Sequence, residues 1–301
     1  MKTLLLGATS PIGQSFLKRA TKRGLSVIAI RDELEASSDK DKQLIAQHGV
    51  KQLSLDLSKH QDIQEFCFRE WPDVLINCYE RTSDEESMPK INTHLPEFLS
   101  QLTHHLGTRL IHLSSSAIFD GQQKQGYRPT DRANPQCYYG QTKLLAEKAI
   151  LSNSNSNPVI LRITHTLSPP EALGQYSFSQ KVLHSAKTGR KLSLSKHNYC
   201  QPTSCDNVAD VLIELSERND LHGIYHWAGT ETISEYALAD ALLQRAQMQS
   251  SEYLEEAPRS EITERNFSME LQPLRNKLKT PALTLKQVFK ELDFIEPLST
   301  G

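Results

Sequence analysis

The chain lacks a long apolar run: nowhere in its 301 residues is there a stretch near the roughly 20 apolar side chains that a membrane-spanning helix needs. It also lacks a basic surplus. The formal charge is -2, and Lys and Arg do not cluster as they would to track a phosphate backbone, so nucleic acid is not an expected partner. Cysteine is sparse. Cys67, Cys78, Cys137, Cys200 and Cys205 are odd in number and scattered, which argues for reduced thiols in a cytoplasmic protein. Internal repeats and metal-ligand spacings are missing too. His222 and His226 stand four apart, but Gly223 and the β-type run after it take them off any shared helix face. His197, Cys200 and Cys205 lack a fourth ligand at zinc spacing, so no metal is expected. The opening Met1-Lys2-Thr3-Leu4-Leu5-Leu6-Gly7 is too short a run for a signal peptide and enters a glycine turn, so it reads as a first strand.

What is present is alternation. With 38% hydrophobic residues the chain can bury one large core, or a core and a smaller satellite. Short β-branched or leucine runs at Thr3–Leu6, Val27–Ile30, Gln52–Leu55, Val74–Ile76, Leu110–Leu113 and Val159–Leu161 alternate with helical patterns. Ile12, Phe16, Leu17 and Ala20 paint one face of a first helix, and Leu95, Phe98, Leu99, Leu102 and Leu106 paint a later one. After Ile163 the alternation turns irregular. A helix from about Asp206 to Leu215 and the run Gly223–Gly229 read as a return to the sheet, and Ser234 reads as the cap of a helix carrying Leu238, Leu242 and Leu243. The polar run Ser152–Pro158 reads as a connector, and the charged stretch Arg31–Lys42 as a solvated loop and helix face. The expected class is α/β: a Rossmann, doubly wound parallel sheet with a smaller C-terminal substrate-binding part. Residues 1–165, completed by about 203–229, form the nucleotide-binding domain; 166–202 and 230–301 form the substrate-binding part.

Gly7-Ala8-Thr9-Ser10-Pro11-Ile12-Gly13 follows a strand and opens a helix, as a phosphate-binding turn must. Gly7 permits the tight turn, Gly13 permits close packing of helix on strand, and Ser10 and Pro11 fit as N-cap and first helical residue. The helix N-terminus then offers N–H groups to a pyrophosphate. At the end of the second strand, where a carboxylate would hold the ribose 2′-OH of NAD, Arg31 precedes Asp32. A guanidinium suits a 2′-phosphate, so NADP is expected over NAD. Asp56, with Leu57 beside it, follows the third strand; its carboxylate is placed either to meet adenine or to cap the next helix.

Tyr139-Gly140-Gln141-Thr142-Lys143 sets a phenol and an ammonium four residues apart, on one face of a helix. A nearby Lys⁺ stabilises a phenolate, so Lys143 is expected to draw the Tyr139 pKa down toward the working range, and it can hold the nicotinamide ribose. Ser114-Ser115-Ser116 ends the strand before it, where a hydroxyl can hydrogen-bond a carbonyl oxygen as it becomes an alkoxide.

Together these features resemble the extended short-chain dehydrogenase/reductases, most closely the dTDP-4-dehydrorhamnose reductase family. The likeness runs through Pro72–Cys78, Asn92, His112–Gly121, Tyr139–Leu144, Arg162, Gln201–Thr203, Asp206 and Gly223–Gly229. It implies an NADP(H)-dependent reduction of a sugar-nucleotide ketone, with Tyr139 as proton donor, Lys143 tuning it and Ser115, fixed by the Phe119-Asp120-Gly121 match, orienting the carbonyl. It also implies Cys78 and Tyr79 near the nicotinamide, and it allows a homodimer. Ser10 replaces the family's middle glycine, so the backbone would approach the pyrophosphate past a side chain. Ser116-Ala117 replaces the usual Asp-Tyr and, unlike the acidic pair of related 4,6-dehydratases, supplies no acid and base for dehydration. Thr164-His165-Thr166 lacks the usual Tyr-Gly. A nucleotide-binding regulatory subunit, resembling that of methionine adenosyltransferase, is the alternative.

Overall fold

In the computed structural model, residues 1–33, 50–82, 84–153, 157–169, 177–258 and 264–292 are described. Most of the Arg31–Lys42 stretch and the middle of the Ser152–Pro158 connector lie outside them. The first half runs β1 (Lys2–Leu6), α1 (Pro11–Lys22), β2 (Ser26–Asp32), β3 (Lys51–Leu55), α2 (His60–Glu70), β4 (Val74–Asn77), α3 (Leu95–Leu106), β5 (Arg109–Ser115), α4 (Tyr138–Ser152) and β6 (Val159–Ile163). The chain then passes through short strands β7 (Thr166–Leu167), β8 (Leu192–Leu194), β9 (Asn198–Cys200) and β10 (Thr203–Ser204), with α5 (Phe178–Lys187) between β7 and β8. It rejoins the sheet with α6 (Cys205–Glu217) and β11 (Gly223–Trp227), and continues through β12 (Ile233–Ser234), α7 (Glu235–Arg245), β13 (Leu254–Glu256) and β14 (Arg265–Asn266).

The central sheet has seven strands in the order β11-β6-β5-β4-β1-β2-β3, every neighbouring pair parallel. A parallel sheet must be covered on both faces, which is why its strands read as near-continuous apolar runs rather than as alternation. Leu4, Leu5 and Leu6 are all fully buried: Leu5 faces a core with Phe16, Leu17, Val208, Leu212 and Trp227, while Leu4 and Leu6 face Ile63, Leu95, Leu99 and Ile150. One layer is thus α1 and α6, the other α2, α3 and α4. From β1 the strand order runs outward to β2 and β3, and from β4 outward the opposite way, so a crevice opens at the carboxyl ends of β1 and β4. A further cluster lies off the sheet: Leu167, Val182 and Leu183 pack with Leu238, Leu242 and Leu243. Its helix α7 begins as the sequence suggests, with the Ser234 hydroxyl accepting from the Ala237 N–H at 3.2 Å.

Candidate active site

At the crevice, Gly7 turns with φ +82°, and a Cβ there would stand 2.7 Å from the backbone of Cys78 and Tyr79. A Cβ on Gly13 would meet the Gly7 carbonyl oxygen at 2.1 Å, so α1 starts directly against the turn. Ser10 caps α1: its hydroxyl accepts from Gly13 N–H at 3.0 Å and donates to the Gly7 carbonyl at 2.8 Å. The side chain feared as an obstacle to pyrophosphate is folded back into the turn. Thr9, Ser10, Pro11 and Ile12 line a groove of about 120 Å³ that runs on past Cys78, Tyr79 and Leu113.

At the β2 edge the two neighbours diverge. Arg31 is half-buried opposite Ser54 of β3, while Asp32 is buried on the other face. Asp32 is already engaged: it accepts from the Tyr79 hydroxyl, from Arg81 Nη2 at 3.2 Å and from the Leu57 N–H at 3.4 Å. The Arg81 guanidinium also lies 5.4 Å from the centre of the Tyr79 ring. Tyr79, expected beside the nicotinamide, thus sends its hydroxyl toward the β2 end instead. Leu57 contributes a backbone N–H there and puts its side chain in the core. Asp56 does not cap α2. Its carboxylate accepts from the Ser58 N–H and hydroxyl at 3.0 and 2.6 Å and pairs with Lys59 at 3.2 Å, which holds its pKa below the usual carboxylate range; α2 starts after Lys59 without a side-chain cap. A turn residue satisfied by its own neighbours has nothing left for a helix.

The three residues singled out for catalysis meet in one place. Ser115 ends β5 and caps the short turn Ser116–Ile118, accepting from the Ala117 N–H at 3.1 Å. Tyr139 and Lys143 share a face of α4, whose first turn is pressed against that strand end: a Cβ on Gly140 would lie 2.1 Å from the Ala117 carbonyl oxygen. The Tyr139 hydroxyl reaches both Ser115 and, at 2.7 Å, Glu80 Oε2; Lys143 Nζ donates to the Leu113 carbonyl at 2.6 Å and lies 3.2 Å from the same Glu80 oxygen. Burial first, then the Glu80 charge, holds the Tyr139 pKa well above its ordinary value, and the Ser115 hydrogen bond opposes them. This reverses the expected downward shift: Lys143 shares its donors between Glu80 and Leu113.

Glu80 escaped the sequence reading, and Asn92, which entered it only as part of the family likeness, proves to anchor the Glu80 loop. Asn92, in a π-helical turn at Pro89–His94, accepts from the Arg81 N–H and donates to the Arg81 carbonyl, both at 2.8 Å, and donates to the Thr142 hydroxyl at 3.2 Å. The loop is thereby tied to the face of α4 that carries Tyr139 and Lys143. Ser115, Tyr139 and Glu80 line a cleft of about 410 Å³ whose far wall carries His165, Lys181, Glu235 and Arg265. His165 pairs with Glu235 at 3.3 Å. A larger polar recess of about 650 Å³, lined by Lys124, Tyr199 and Glu264 among others, lies apart and receives none of Ser115, Tyr139 or Lys143.

Beneath the cleft is a closed polar core. Glu147, one turn beyond Lys143, is gripped by Arg162 through Nε at 2.9 Å and Nη2 at 2.7 Å, and also accepts from the Ser114 hydroxyl. Arg162 Nη1 turns to the Pro129 carbonyl at 3.1 Å and to His226 at 3.2 Å. Burial and the neighbouring Arg162 push the His226 pKa down to about 3.

A seven-stranded doubly wound sheet with a glycine turn on its first strand, and serine, tyrosine and lysine gathered at the end of its fifth, defines an extended short-chain dehydrogenase/reductase. More narrowly, the chain belongs to the family described as the RmlD substrate binding domain, whose model matches residues 1–292. Among curated relatives it is similar to methionine adenosyltransferase 2 subunit beta of Xenopus laevis, 29% identical over 266 residues that span 83% of this chain and 73% of that one. It is 31% identical over 180 residues to the dTDP-4-dehydrorhamnose reductase of Sinorhizobium fredii, covering 56% of this chain and 59% of that one. The crystal structure of the Bacillus anthracis dTDP-4-dehydrorhamnose reductase in complex with NADP superposes with a TM-score of 0.75 at 17% identity, covering 96% of this chain and 98% of that one.

Proposed function

We propose that this chain is an NADP(H)-dependent reductase of a nucleotide-activated 4-keto sugar. The observation that carries the reading is the meeting of Ser115, Tyr139 and Lys143 where the nucleotide groove and the 410 Å³ cleft join. The groove fits a dinucleotide on its own terms: a glycine turn no side chain can enter, then a helix start facing the groove through Thr9–Ile12. A bound nicotinamide supplies the hydride. The chain's part is to orient and protonate: Ser115 holds the substrate carbonyl oxygen, and Tyr139 gives that oxygen its proton as the negative charge develops. Lys143, which shares the Glu80 oxygen with the phenol, would hold the nicotinamide ribose. Lys181 and Arg265 on the far wall suit the diphosphate of a sugar nucleotide.

NADP is favoured over NAD because Asp32, the carboxylate that would take a ribose 2′-OH, is occupied by Tyr79 and Arg81. Arg31 and Arg81 then leave the β2 edge suited to a phosphate. The family and the dTDP-4-dehydrorhamnose reductase relative support the substrate class. The reading is tested by NADPH fluorescence and by NADPH oxidation over a panel of 4-keto sugar nucleotides. Tyr139→Phe is expected to keep binding and to lose about 10²–10⁴-fold in turnover. NADPH binding with no Tyr139-dependent oxidation of any substrate would replace this reading with the second one, a regulatory subunit. That alternative is favoured by the 83% of the chain aligned with a methionine adenosyltransferase beta subunit and by Glu80 standing against the Tyr139–Lys143 pair.

A further inference from the structure

The scheme above gives no part to Glu80, yet the fold goes to some length to place it. Asn92 ties both backbone polar groups of the next residue, Arg81, and reaches on to Thr142, the neighbour of Lys143 on α4. The Glu80 side chain is 34% exposed and lines both the nucleotide groove and the substrate cleft, so it stands at their junction. A single oxygen, Oε2, accepts the Tyr139 O–H at 2.7 Å and lies 3.2 Å from the Lys143 ammonium.

We propose that Glu80 is a positioning residue for the proton of Tyr139: its carboxylate keeps that proton on the phenol, so the site is set to donate a proton to a ketone rather than to take one from an alcohol. The biological sense of this rests on the reductase reading; its test does not. As hydride reaches the carbonyl carbon, the electron pair released onto the carbonyl oxygen takes the phenolic proton and leaves a tyrosinate. That tyrosinate and the Glu80 carboxylate are then two anions at hydrogen-bond distance, which drives reprotonation by water reaching the exposed edge of Glu80.

The surrounding charges do not cancel the effect. Burial raises the Cys78 thiol at the end of β4 and lowers the His112 imidazole on β5, so both are neutral at physiological pH. Cys137 caps the start of α4. The Lys143 cation is divided between Glu80 and the Leu113 carbonyl. On the far wall the Lys181 and Arg265 cations share the cleft with Glu235, which is paired to His165. Burial and Glu80 together accordingly hold the Tyr139 pKa above its ordinary range.

The experiment is a spectroscopic titration of tyrosinate in the full chain, without substrate or cofactor. The Tyr139 signal is isolated as the difference between each protein and its Tyr139→Phe counterpart. In the parent chain Tyr139 is expected to stay protonated while exposed tyrosines ionise; in Glu80→Gln it should ionise at least tenfold more readily, one pH unit or more lower. Glu80→Asp keeps the charge with a shorter reach and should fall between them, and it serves as the second variant should Glu80→Gln fold poorly. Ionisation at the same pH in the parent and in both variants overturns the proposal. Loss of the reductase reading would show instead as absent turnover with the titration shift intact.

Discussion

Two glutamate pairs flank the same face of α4, and they are opposites. Glu147 and Arg162 are 2% and 4% exposed, meet through two parallel hydrogen bonds, and have their remaining polar atoms taken by Ser114, Pro129 and His226. Glu80 and Lys143 meet through one Glu80 oxygen, which a phenol also claims; the Glu80 side chain is 34% exposed while Lys143 is buried. The closed pair fixes how helix and strands sit; the open pair faces the place where chemistry is proposed. A charge saturated on every side is scaffold, and a charge contested at a cavity mouth is available for change.

Removing half of the closed pair should give the largest effect. Arg162→Met strands a buried carboxylate and is expected to cost about 3–5 kcal/mol in denaturant unfolding, while the joint replacement Glu147→Leu with Arg162→Met should recover much of that. If the single and joint variants unfold alike, the pair is not the closed scaffold described. Next comes acid. His226 is held neutral to about 3 when folded, against 6.5 for the free side chain, so below 6.5 the unfolded chain binds a proton that the folded chain refuses. Stability from this group is full near neutrality and is lost as pH falls through the window from 6.5 toward 3. Between pH 7 and pH 5 that amounts to about 2 kcal/mol, which His226→Asn should remove from the pH profile; the lowered pKa of His112 acts in the same direction. The smallest effect belongs to the open pair: Glu80→Gln is expected to change unfolding free energy by less than about 1 kcal/mol, because the Glu80 side chain is a third exposed and the buried Lys143 ammonium keeps its hydrogen bond to the Leu113 carbonyl. A loss as large as that of Arg162→Met would erase the contrast.

Much of the sheet was legible because burial on two faces leaves an apolar run with no alternation to misread: Leu4–Leu6, Val27–Ile30 and Val159–Leu161 all fall in strands. The Ser10-Pro11 start of α1 was legible because capping is local chemistry. Ser115, Tyr139 and Lys143 were legible through helix spacing and strand ends, although the direction of the Tyr139 shift was not, since it depends on a carboxylate 59 residues away. Glu80 itself gave only the signal of a charged residue after a strand, which any surface loop gives. Its place just past β4, at the crevice where the strand order reverses, would have marked it. The same blindness hid the engagement of Asp32, whose partners Tyr79 and Arg81 arrive from another strand end, and left the helix-cap alternative open for Asp56, whose neighbour Ser58 takes the carboxylate before a helix can.

The bare Cα of Gly140 against the Ala117 carbonyl has a reach beyond local packing. Because α4 abuts the turn after Ser115 main chain to main chain, the span between the backbones that carry Ser115 and Tyr139 is set without a compressible side chain between them. Sequence drift in the surrounding core can alter the filling without altering that span. Substitutions can thus vary the walls of the cleft while the spacing at its proposed reaction centre stays put.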